Sequence, residues 1–236
     1  MIAVSEERGV RYLHFGTHWV QGAMRISRPD ALVLDYTRAM MAVLLLLPRP
    51  SSALVIGLGA GSVAKFLHRY FPDMRVLVVE INAKVIDVAR EYFCLPEDSA
   101  HFSIEVADGF EFVLTSKRRF DLVMVDGFDH NACAGPLESL PFYLACCDRL
   151  SRRGAMAVNL LGHSRGFRAA VKRIEMAFSE QTLPLSPCKD GNVIVFGVRG
   201  PGTKRREGQL VQRAQALHAE TNLNLAFAIP DLTRNR

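Results

Sequence analysis

The feature of this sequence that most restricts its fold is an alternation of short apolar runs with segments of helical spacing. Five of these runs have the length and composition of strands in a parallel sheet that helices cover on both faces. They span residues 53–56, 75–79, 102–107, 121–125 and 155–160. Two further runs, 181–185 and 192–198, have no helix-length segment between them and should pair antiparallel. The pattern predicts a doubly wound, Rossmann-like α/β fold with a seven-stranded, mostly parallel sheet.

The closing antiparallel pair is typical of the class I S-adenosylmethionine-dependent methyltransferase fold. Ahead of the sheet, residues 11–15 and 18–26 predict a short N-terminal β-hairpin region. A helix is predicted over 34–47, where Pro48 and Pro50 stop it. The predicted parts of the chain are the hairpin plus helix, the Rossmann-like domain, and a C-terminal helix and tail. They cover residues 1–48, 49–200 and 201–236.

Composition narrows the class of protein. The chain has 236 residues, 49% of them hydrophobic, which is enough for one sizeable core. Its five cysteines form no CxxC pair and no metal-ligand spacing, so we expect a cytoplasmic protein without disulfides or a bound metal. The longest apolar run, 39–48, is about half of what spans a bilayer, and the first twenty residues lack the apolar core of a signal peptide, so we expect no membrane partner.

The formal net charge is +5, and basic residues are concentrated late in the chain, at Arg199, Lys204, Arg205 and Arg206. Such a cluster is more often a solvated surface than a nucleic-acid site. We interpret it as a surface, with RNA or phosphate binding as the alternative.

A glycine-rich turn follows the first strand of the sheet and begins a helix. It contains Gly57, Gly59 and Gly61, in the sequence context that dinucleotide and nucleoside sites require. Glycine permits tight turning and lets a ligand lie against the main chain. We expect this turn to contact the ligand.

Acidic residues follow the next two strands. Glu80 ends the second strand, 19 residues after Gly61, where a carboxylate can accept both hydroxyl groups of a ribose. Asp108 closes the third strand and is followed by Gly109, a pair that suits the edge of an adenine. A helix N-cap is the alternative role for Asp108, and the two roles can coexist. Because carboxyl ends of parallel strands share one edge, these residues predict a nucleoside site.

Two further carboxylates, Asp126 and Asp129, lie at the end of the fourth strand. Their chemistry suits an amine substrate, because an alkylammonium must lose a proton before its nitrogen can attack. A sulfonium leaving group departs as a neutral thioether and needs no acid. The alternative is a capping acid beside a solvated one.

At these residues the chain resembles the spermidine synthases, a family of polyamine aminopropyltransferases, from about Gly16 to Leu161. That family's fourth strand ends in Asp-Ser-Ser-Asp-Pro, and the segment 126–130 here keeps both acids. The resemblance implies that Asp126 is the base and that Asp129 holds the ammonium group of the acceptor. It further implies that Gln21 contacts the donor, that Tyr36 lies near the reacting amine, and that the protein is a homodimer.

The sequence departs from the family pattern at three places. Ala60 occupies the position of an aspartate that faces the aminopropyl ammonium of the donor. Thr37 and Arg38 replace the histidine and glutamate that follow the family tyrosine. The N-terminal hairpin region is also very short. Conversely, Val55 stands where methyltransferases often have an acid, which agrees with the aminopropyltransferases.

The function expected from the resemblance is aminopropyl transfer from decarboxylated S-adenosylmethionine to a small amine such as putrescine. One alternative is an S-adenosylmethionine-dependent methyltransferase acting on a small molecule or RNA through the same pocket. Another is a nucleoside-binding module without activity that regulates a partner.

Overall fold

The chain folds into two β-sheets joined by helices, as seen in a computed structural model. The structure describes residues 2–16, 19–47, 49–129, 131–179, 181–200 and 206–234. Pro48, Lys204 and Arg205, named above, and residues 18 and 130 of the segments 18–26 and 126–130 lie outside these residues.

The first sheet is antiparallel and has four strands in the order β1-β2-β3-β4. The antiparallel pair β2 and β3 confirms the predicted N-terminal β-hairpin region, and the sheet has two further strands that the sequence pattern did not reveal. The missed strands are both at the sheet's edges: β1 is almost wholly exposed, and β4 contains Pro29. Edge strands need no apolar alternation and tolerate proline, which explains why the pattern did not reveal them. The strands are β1 (Ala3–Glu7), β2 (Val10–His14), β3 (Val20–Arg25) and β4 (Arg28–Leu32).

The helix predicted over 34–47 is two elements instead of one. Helix α1 (Asp35–Met40) continues as a 3₁₀ turn over Met41–Leu45, all of it buried. The apolar spacing of the two helix types is too similar over a few residues for the sequence to separate them. The last carbonyl of the 3₁₀ turn, that of Leu45, accepts a hydrogen bond from Arg213 Nη1 at 2.8 Å.

The second sheet has seven strands and is parallel except for one strand, as predicted. Its order is β10-β11-β9-β8-β5-β6-β7, in which β11 runs antiparallel to both of its neighbours. The chain builds outward from β5 in one direction and then returns to place β8 on the other side. This reversal leaves a crevice at the carboxyl ends of the central strands. The strands are β5 (Ser52–Ile56), β6 (Arg75–Glu80), β7 (Phe102–Val106), β8 (Phe120–Val125), β9 (Leu150–Leu161), β10 (Thr182–Pro184) and β11 (Asn192–Val198).

Helices cover both faces of this sheet and bury two apolar clusters against it. Side-chain caps set where several of them start: Asn82 accepts from the amide of Lys84, and Ser139 accepts from that of Phe142. The helices are α2 (Ser62–Tyr70), α3 (Ala83–Tyr92), α4 (Gly109–Thr115), α5 (Leu140–Arg149) and α6 (Phe167–Phe178), with a 3₁₀ turn at Gly135–Glu138.

The C-terminal segment, which the sequence pattern could not place, packs against the core. Helix α7 (Glu207–Thr221), a 3₁₀ turn (Ala226–Ala228) and helix α8 (Ile229–Thr233) contribute apolar side chains to the cluster that contains Met41–Leu45. Asp231 fixes α8 to the loop after β10, because its Oδ2 accepts a hydrogen bond from the amide of Ser186 at 2.7 Å. The three-part division at residues 48 and 200 stays a prediction.

No helix among the described residues is long and apolar enough to cross a membrane. All five cysteines carry free thiols.

Candidate functional site

A cavity of about 830 Å³ opens at the carboxyl ends of the central strands. The ends of β5, β6, β8 and β9 form its floor, and the N-terminal sheet covers it through Phe15, Trp19 and Gln21. Nine of the ten residues singled out from the sequence line this one cavity. They are Gln21, Tyr36, Gly57, Gly59, Glu80, Asp108, Gly109, Asp126 and Asp129.

The glycine turn packs directly against the loop after β8. Gly57 has φ +89°, and a Cβ there would lie 2.2 Å from the carbonyl oxygen of Asp126. Only a residue without a side chain permits this approach. The same contact fixes the backbone of Asp126 beside the glycine turn.

Gly61 does not line the cavity, and its predicted ligand contact stays a prediction. It is the N-cap of α2 with φ +70°, and a Cβ there would lie 2.8 Å from Leu95 Cδ1. Ala60 is likewise turned away from the cavity and is only 2% exposed. It packs beneath β3, where a Cβ on Gly22 would lie 2.5 Å from the Ala60 Cβ. This contact places the N-terminal sheet on the turn and brings Gln21 to the cavity.

Glu80 holds the turn as well as facing the cavity. Its Oε2 accepts a hydrogen bond from the amide of Leu58 at 2.9 Å, and its Oε1 accepts one from the amide of Asn82 at 2.9 Å. Each carboxylate oxygen has a second lone pair, so ribose hydroxyl groups could still bind. The sequence did not indicate this double role.

Asp108 is the N-cap of α4, and it also lines the cavity. Its Oδ1 accepts hydrogen bonds from the amides of Phe110 at 2.7 Å and Glu111 at 3.3 Å. Gly109 follows with no room for a Cβ, which would lie 2.4 Å from Ile56 Cγ2. The capping role and a ligand role therefore remain compatible.

Asp126 lies at the end of a chain of hydrogen bonds. Asn159 Nδ2 donates to its Oδ1 at 2.9 Å, Asn192 Nδ2 donates to Asn159 Oδ1 at 2.9 Å, and Tyr36 also bonds to the Asp126 carboxylate. Enclosure among protein atoms raises the pKa of Asp126 above its ordinary value, although the bonds from Asn159 and Tyr36 oppose that rise. Burial, and then the charge of Asp126, raise the pKa of Tyr36 well above its ordinary value, so Tyr36 stays a donor.

Asp129 is exposed at the mouth of the cavity. Its Oδ1 accepts hydrogen bonds from the amides of Asn131 at 2.8 Å and Cys133 at 2.9 Å, which fold the loop that follows β8. No described residue donates a hydrogen bond to its Oδ2.

Four polar residues at the β9 and β11 end of the cavity were not identified from the sequence. Asn159 and Asn192 lie on neighbouring strands, and His163 and Asp190 lie on the loops after β9 and before β11. A single polar residue in an apolar strand, such as Asn159 at 4% exposure, was the available signal for this site.

The charge of the cavity lining has one sign. Among the described residues that line it there is no lysine or arginine, whereas five residues are acidic. They are Glu80, Asp108, Asp126, Asp129 and Asp190. This lining suits a ligand with positive charge and no carboxylate of its own.

Strand order and cavity position together define the class I S-adenosylmethionine-dependent methyltransferase fold. Solved structures agree on the fold. Human methyltransferase-like protein 13 in complex with SAH has a TM-score of 0.73 at 24% identity, over 80% of this chain and 93% of that one. A spermidine synthase in complex with the transition-state analogue AdoDATO has a TM-score of 0.72 at 20% identity, over 99% of this chain and 85% of that one.

The chain belongs to the spermine/spermidine synthase family. The family model described as "Spermine/spermidine synthase domain" matches residues 33–160. A polyamine aminopropyltransferase of Chromobacterium violaceum is 35% identical over 222 residues, which cover 94% of this chain and 85% of that protein. The resemblance drawn from the sequence is thus confirmed, as is the prediction of a transferase.

Proposed function

We propose that this protein transfers an aminopropyl group from decarboxylated S-adenosylmethionine to a small amine, with Asp126 as the base. The observation that carries the proposal is the acidic lining of the cavity around Asp126, without a lysine or arginine among the described lining residues. The family membership and the name of the Chromobacterium relative support the same reaction.

The choice of donor follows from its charge. Decarboxylated S-adenosylmethionine carries a sulfonium and an ammonium and no carboxylate, whereas the ordinary donor would bring a carboxylate among five acids. A buried carboxylate without a cationic partner is costly. The AdoDATO complex of a spermidine synthase supports a donor of this class. In this reading Glu80 accepts the ribose hydroxyl groups, and Asp108 and Gly109 face the adenine.

The reaction at Asp126 balances as a single displacement. The amine nitrogen donates its lone pair to the aminopropyl carbon, the carbon–sulfur bond breaks, and its electron pair stays on sulfur as a neutral thioether. The proton that the amine loses passes to Asp126. Enclosure raises the pKa of the Asp126 carboxyl group and lowers the pKa of an ammonium group. The difference between the two pKa values therefore becomes smaller, which eases proton transfer from the amine to Asp126.

The acceptor is proposed to extend from Asp126 toward Asp190 and His163. Both line the far end of the cavity. The His163 ring packs closely against the backbone of Gly191, where a Cβ would lie 3.1 Å from His163 Nδ1. Asp129 at the mouth and Asp190 at the far end are the two acids available to a second ammonium group of a diamine.

Asp126→Asn gives the decisive test of the base. The amide keeps the size of the side chain but cannot accept the proton, so kcat should fall by roughly 10²- to 10⁴-fold, the usual contribution of general base catalysis. Product formation from decarboxylated donor and a panel of diamines, followed by mass spectrometry, measures this. Asp87→Asn, on the exposed face of α3, is the matched control and should leave kcat unchanged. Near wild-type turnover by Asp126→Asn would remove Asp126 from its role.

Calorimetry with both donors tests the reaction class. We expect the decarboxylated donor to bind at least about tenfold more tightly than S-adenosylmethionine. Tight binding of the ordinary donor alone, with methylated product, would replace the proposal by the methyltransferase alternative.

We also propose a cytoplasmic location and a homodimeric assembly. Five free thiols agree with a reducing cytoplasm. A homodimer is proposed from family membership, and the exposed edge strand β1 offers a surface for it.

A further inference from the structure

A basic surface lies at the end of the second sheet that is opposite the cavity, where the parallel strands β8 and β9 begin. Three separate parts of the chain meet there: the start of β8, the start of β9 and the end of the antiparallel strand β11. The registers Phe120 with Leu150 and Val198 with Ala155 place them side by side. We call this surface the basic edge, and it comprises Lys117, Arg119, Arg149, Arg152, Arg153 and Arg199.

Two arginines of the basic edge converge on one helix end. Arg119 Nη1 donates to the carbonyl oxygens of Asp148 at 2.8 Å and Leu150 at 3.1 Å. Arg199 Nη1 donates to the same two oxygens, at 3.2 Å and 2.6 Å, and to that of Cys147 at 2.9 Å. The negative end of the α5 dipole favours cations here. These shared acceptors hold residues 80 positions apart in sequence within one small area.

The acids around the basic edge do not neutralise it. Glu105 is paired with Arg118 at 2.7 Å, outside the six residues named above. Asp121 stays ionised, because its oxygens accept hydrogen bonds from the neutral groups of Ser51 and Ser151, so it offsets one positive charge. Asp148 offsets a second charge, which leaves the six cations of the basic edge in excess, and Lys117, Arg152 and Arg153 are all exposed. An excess of positive charge therefore faces solvent.

We infer that the basic edge binds the phosphate backbone of double-stranded nucleic acid without sequence preference. Clustered arginines and lysines attract phosphates at close spacing, and binding releases counterions. Of the described residues at this edge, none is an exposed aromatic, so there is no platform for stacking unpaired bases. This favours a duplex over a single strand.

The position of the surface keeps the two kinds of ligand apart. The acidic cavity repels phosphates and attracts amines, and it lies at the other end of the strands. Nucleic acid on the basic edge would leave the cavity open to cationic substrates and product. The inference does not depend on the proposed function, since it rests on the basic edge alone.

Binding of a 20-base-pair RNA duplex, measured by fluorescence anisotropy between 50 and 200 mM salt, tests the inference. The triple variant Lys117→Gln, Arg152→Gln, Arg153→Gln removes three exposed cations that make no helix-capping bonds in the structure. We expect binding to weaken at least about tenfold at low salt and the slope of log K against log salt to become shallower by about 2 to 3. The matched control is Arg25→Gln, Arg28→Gln, Lys84→Gln, which removes the same charge from exposed positions elsewhere and should change binding less than about twofold.

Several results would overturn the inference. They are no binding of the duplex by the wild-type protein at 50 mM salt, equal weakening in the edge and control variants, stronger binding to a single strand of the same length, and preferential binding to anionic phospholipid vesicles. Equal affinity for a DNA duplex supports it, since only the backbone is contacted. Aminopropyl transfer by the edge variant should equal that of the wild type, which separates this inference from the proposed function.

Discussion

At the scale of single residues, the surroundings of Asp126 decide its chemistry. Enclosure raises the pKa of Asp126 and so favours the protonated acid, which cannot act as a base, whereas the hydrogen bonds from Asn159 and Tyr36 oppose that rise and favour the carboxylate. Asn159 can do so only while its Nδ2 points at Asp126. The bond from Asn192 Nδ2 to Asn159 Oδ1 selects that orientation, because a flipped amide would lose both bonds.

Asn192→Asp should reverse this orientation. The new carboxylate can only accept, so the Asn159 amide turns its Nδ2 toward residue 192 and its oxygen toward Asp126. Asp126 loses a donor, its pKa rises further, and the acidic limb of the kcat/KM profile should move to higher pH by about one unit or more. Activity requires the ionised base, so the loss is largest at low pH and diminishes as pH rises.

Asn192→Leu separates orientation from charge in this test. It removes the donor without adding a carboxylate, and the acidic limb should move in the same direction by less. A limb that moves in Asn192→Asp and stays at its wild-type pH in Asn192→Leu would mean that charge alone acts. Limbs that stay at the wild-type pH in both variants would contradict the role of Asn192.

At the scale of elements, the glycine turn joins three parts of the molecule. Its Ala60 packs against β3 of the N-terminal sheet, and its Gly57 packs against the loop after β8. Its Leu58 amide donates a hydrogen bond to the Glu80 carboxylate. Each contact is between groups of fixed position, most of them backbone. The site is therefore rigid at the turn, and acids that come from separate strands keep their spacing.

Gly57→Ala should disrupt this junction. The alanine must adopt φ +89°, and its Cβ must displace the Asp126 carbonyl, which lies 2.2 Å away. We expect a loss of about 2–4 kcal/mol in the free energy of unfolding, from strain and overpacking together. Denaturant unfolding measures the loss.

Gly9→Ala is the matched control for Gly57→Ala. Gly9 has φ +76° in the turn between β1 and β2, and nothing lies within 4 Å of a Cβ there. It should cost only the backbone strain, about 1–2 kcal/mol. Equal losses in the two variants would mean that the contact with Asp126 is not tight.

At the scale of the whole molecule, one cation is buried where the two sheets meet. Lys65 of α2 is 1% exposed, and its Nζ donates to the carbonyl oxygen of Phe93 at 2.6 Å. Burial lowers its pKa to about 8, against smaller opposing effects of Cys94 and Asp30. Helix α2 contacts β4 on one side and β6 on the other, so this lysine is held by the packing of the entire fold.

The free energy of unfolding should depend on pH through Lys65. The unfolded lysine titrates near 10.5 and the folded one near 8, so the folded state loses its proton first. Wild-type stability relative to Lys65→Met should therefore be lowest below pH 8 and rise between about pH 8 and 10.5, by on the order of 3 kcal/mol. Denaturant unfolding at several pH values measures the difference.

Lys84→Met, at an exposed position of α3, is the reference for that measurement. Its difference from the wild type should stay flat over the same range. A flat difference for Lys65→Met as well would show that Lys65 titrates normally in the folded state.

The sequence by itself determined the seven-stranded sheet, its closing antiparallel pair and most of the acidic rim. Strand length, apolar content and the residue at each strand end are local properties. Parallel strands bring their carboxyl ends to one edge wherever they pair, so Glu80, Asp108 and Asp126 had to meet.

Only the tertiary structure decided the rest. The Asn159–Asn192 pair, the burial of Ala60 under β3, the edge strands β1 and β4, and the basic edge depend on contacts between residues remote in sequence. No local pattern encodes such contacts, because each arises only when separately formed elements pack together.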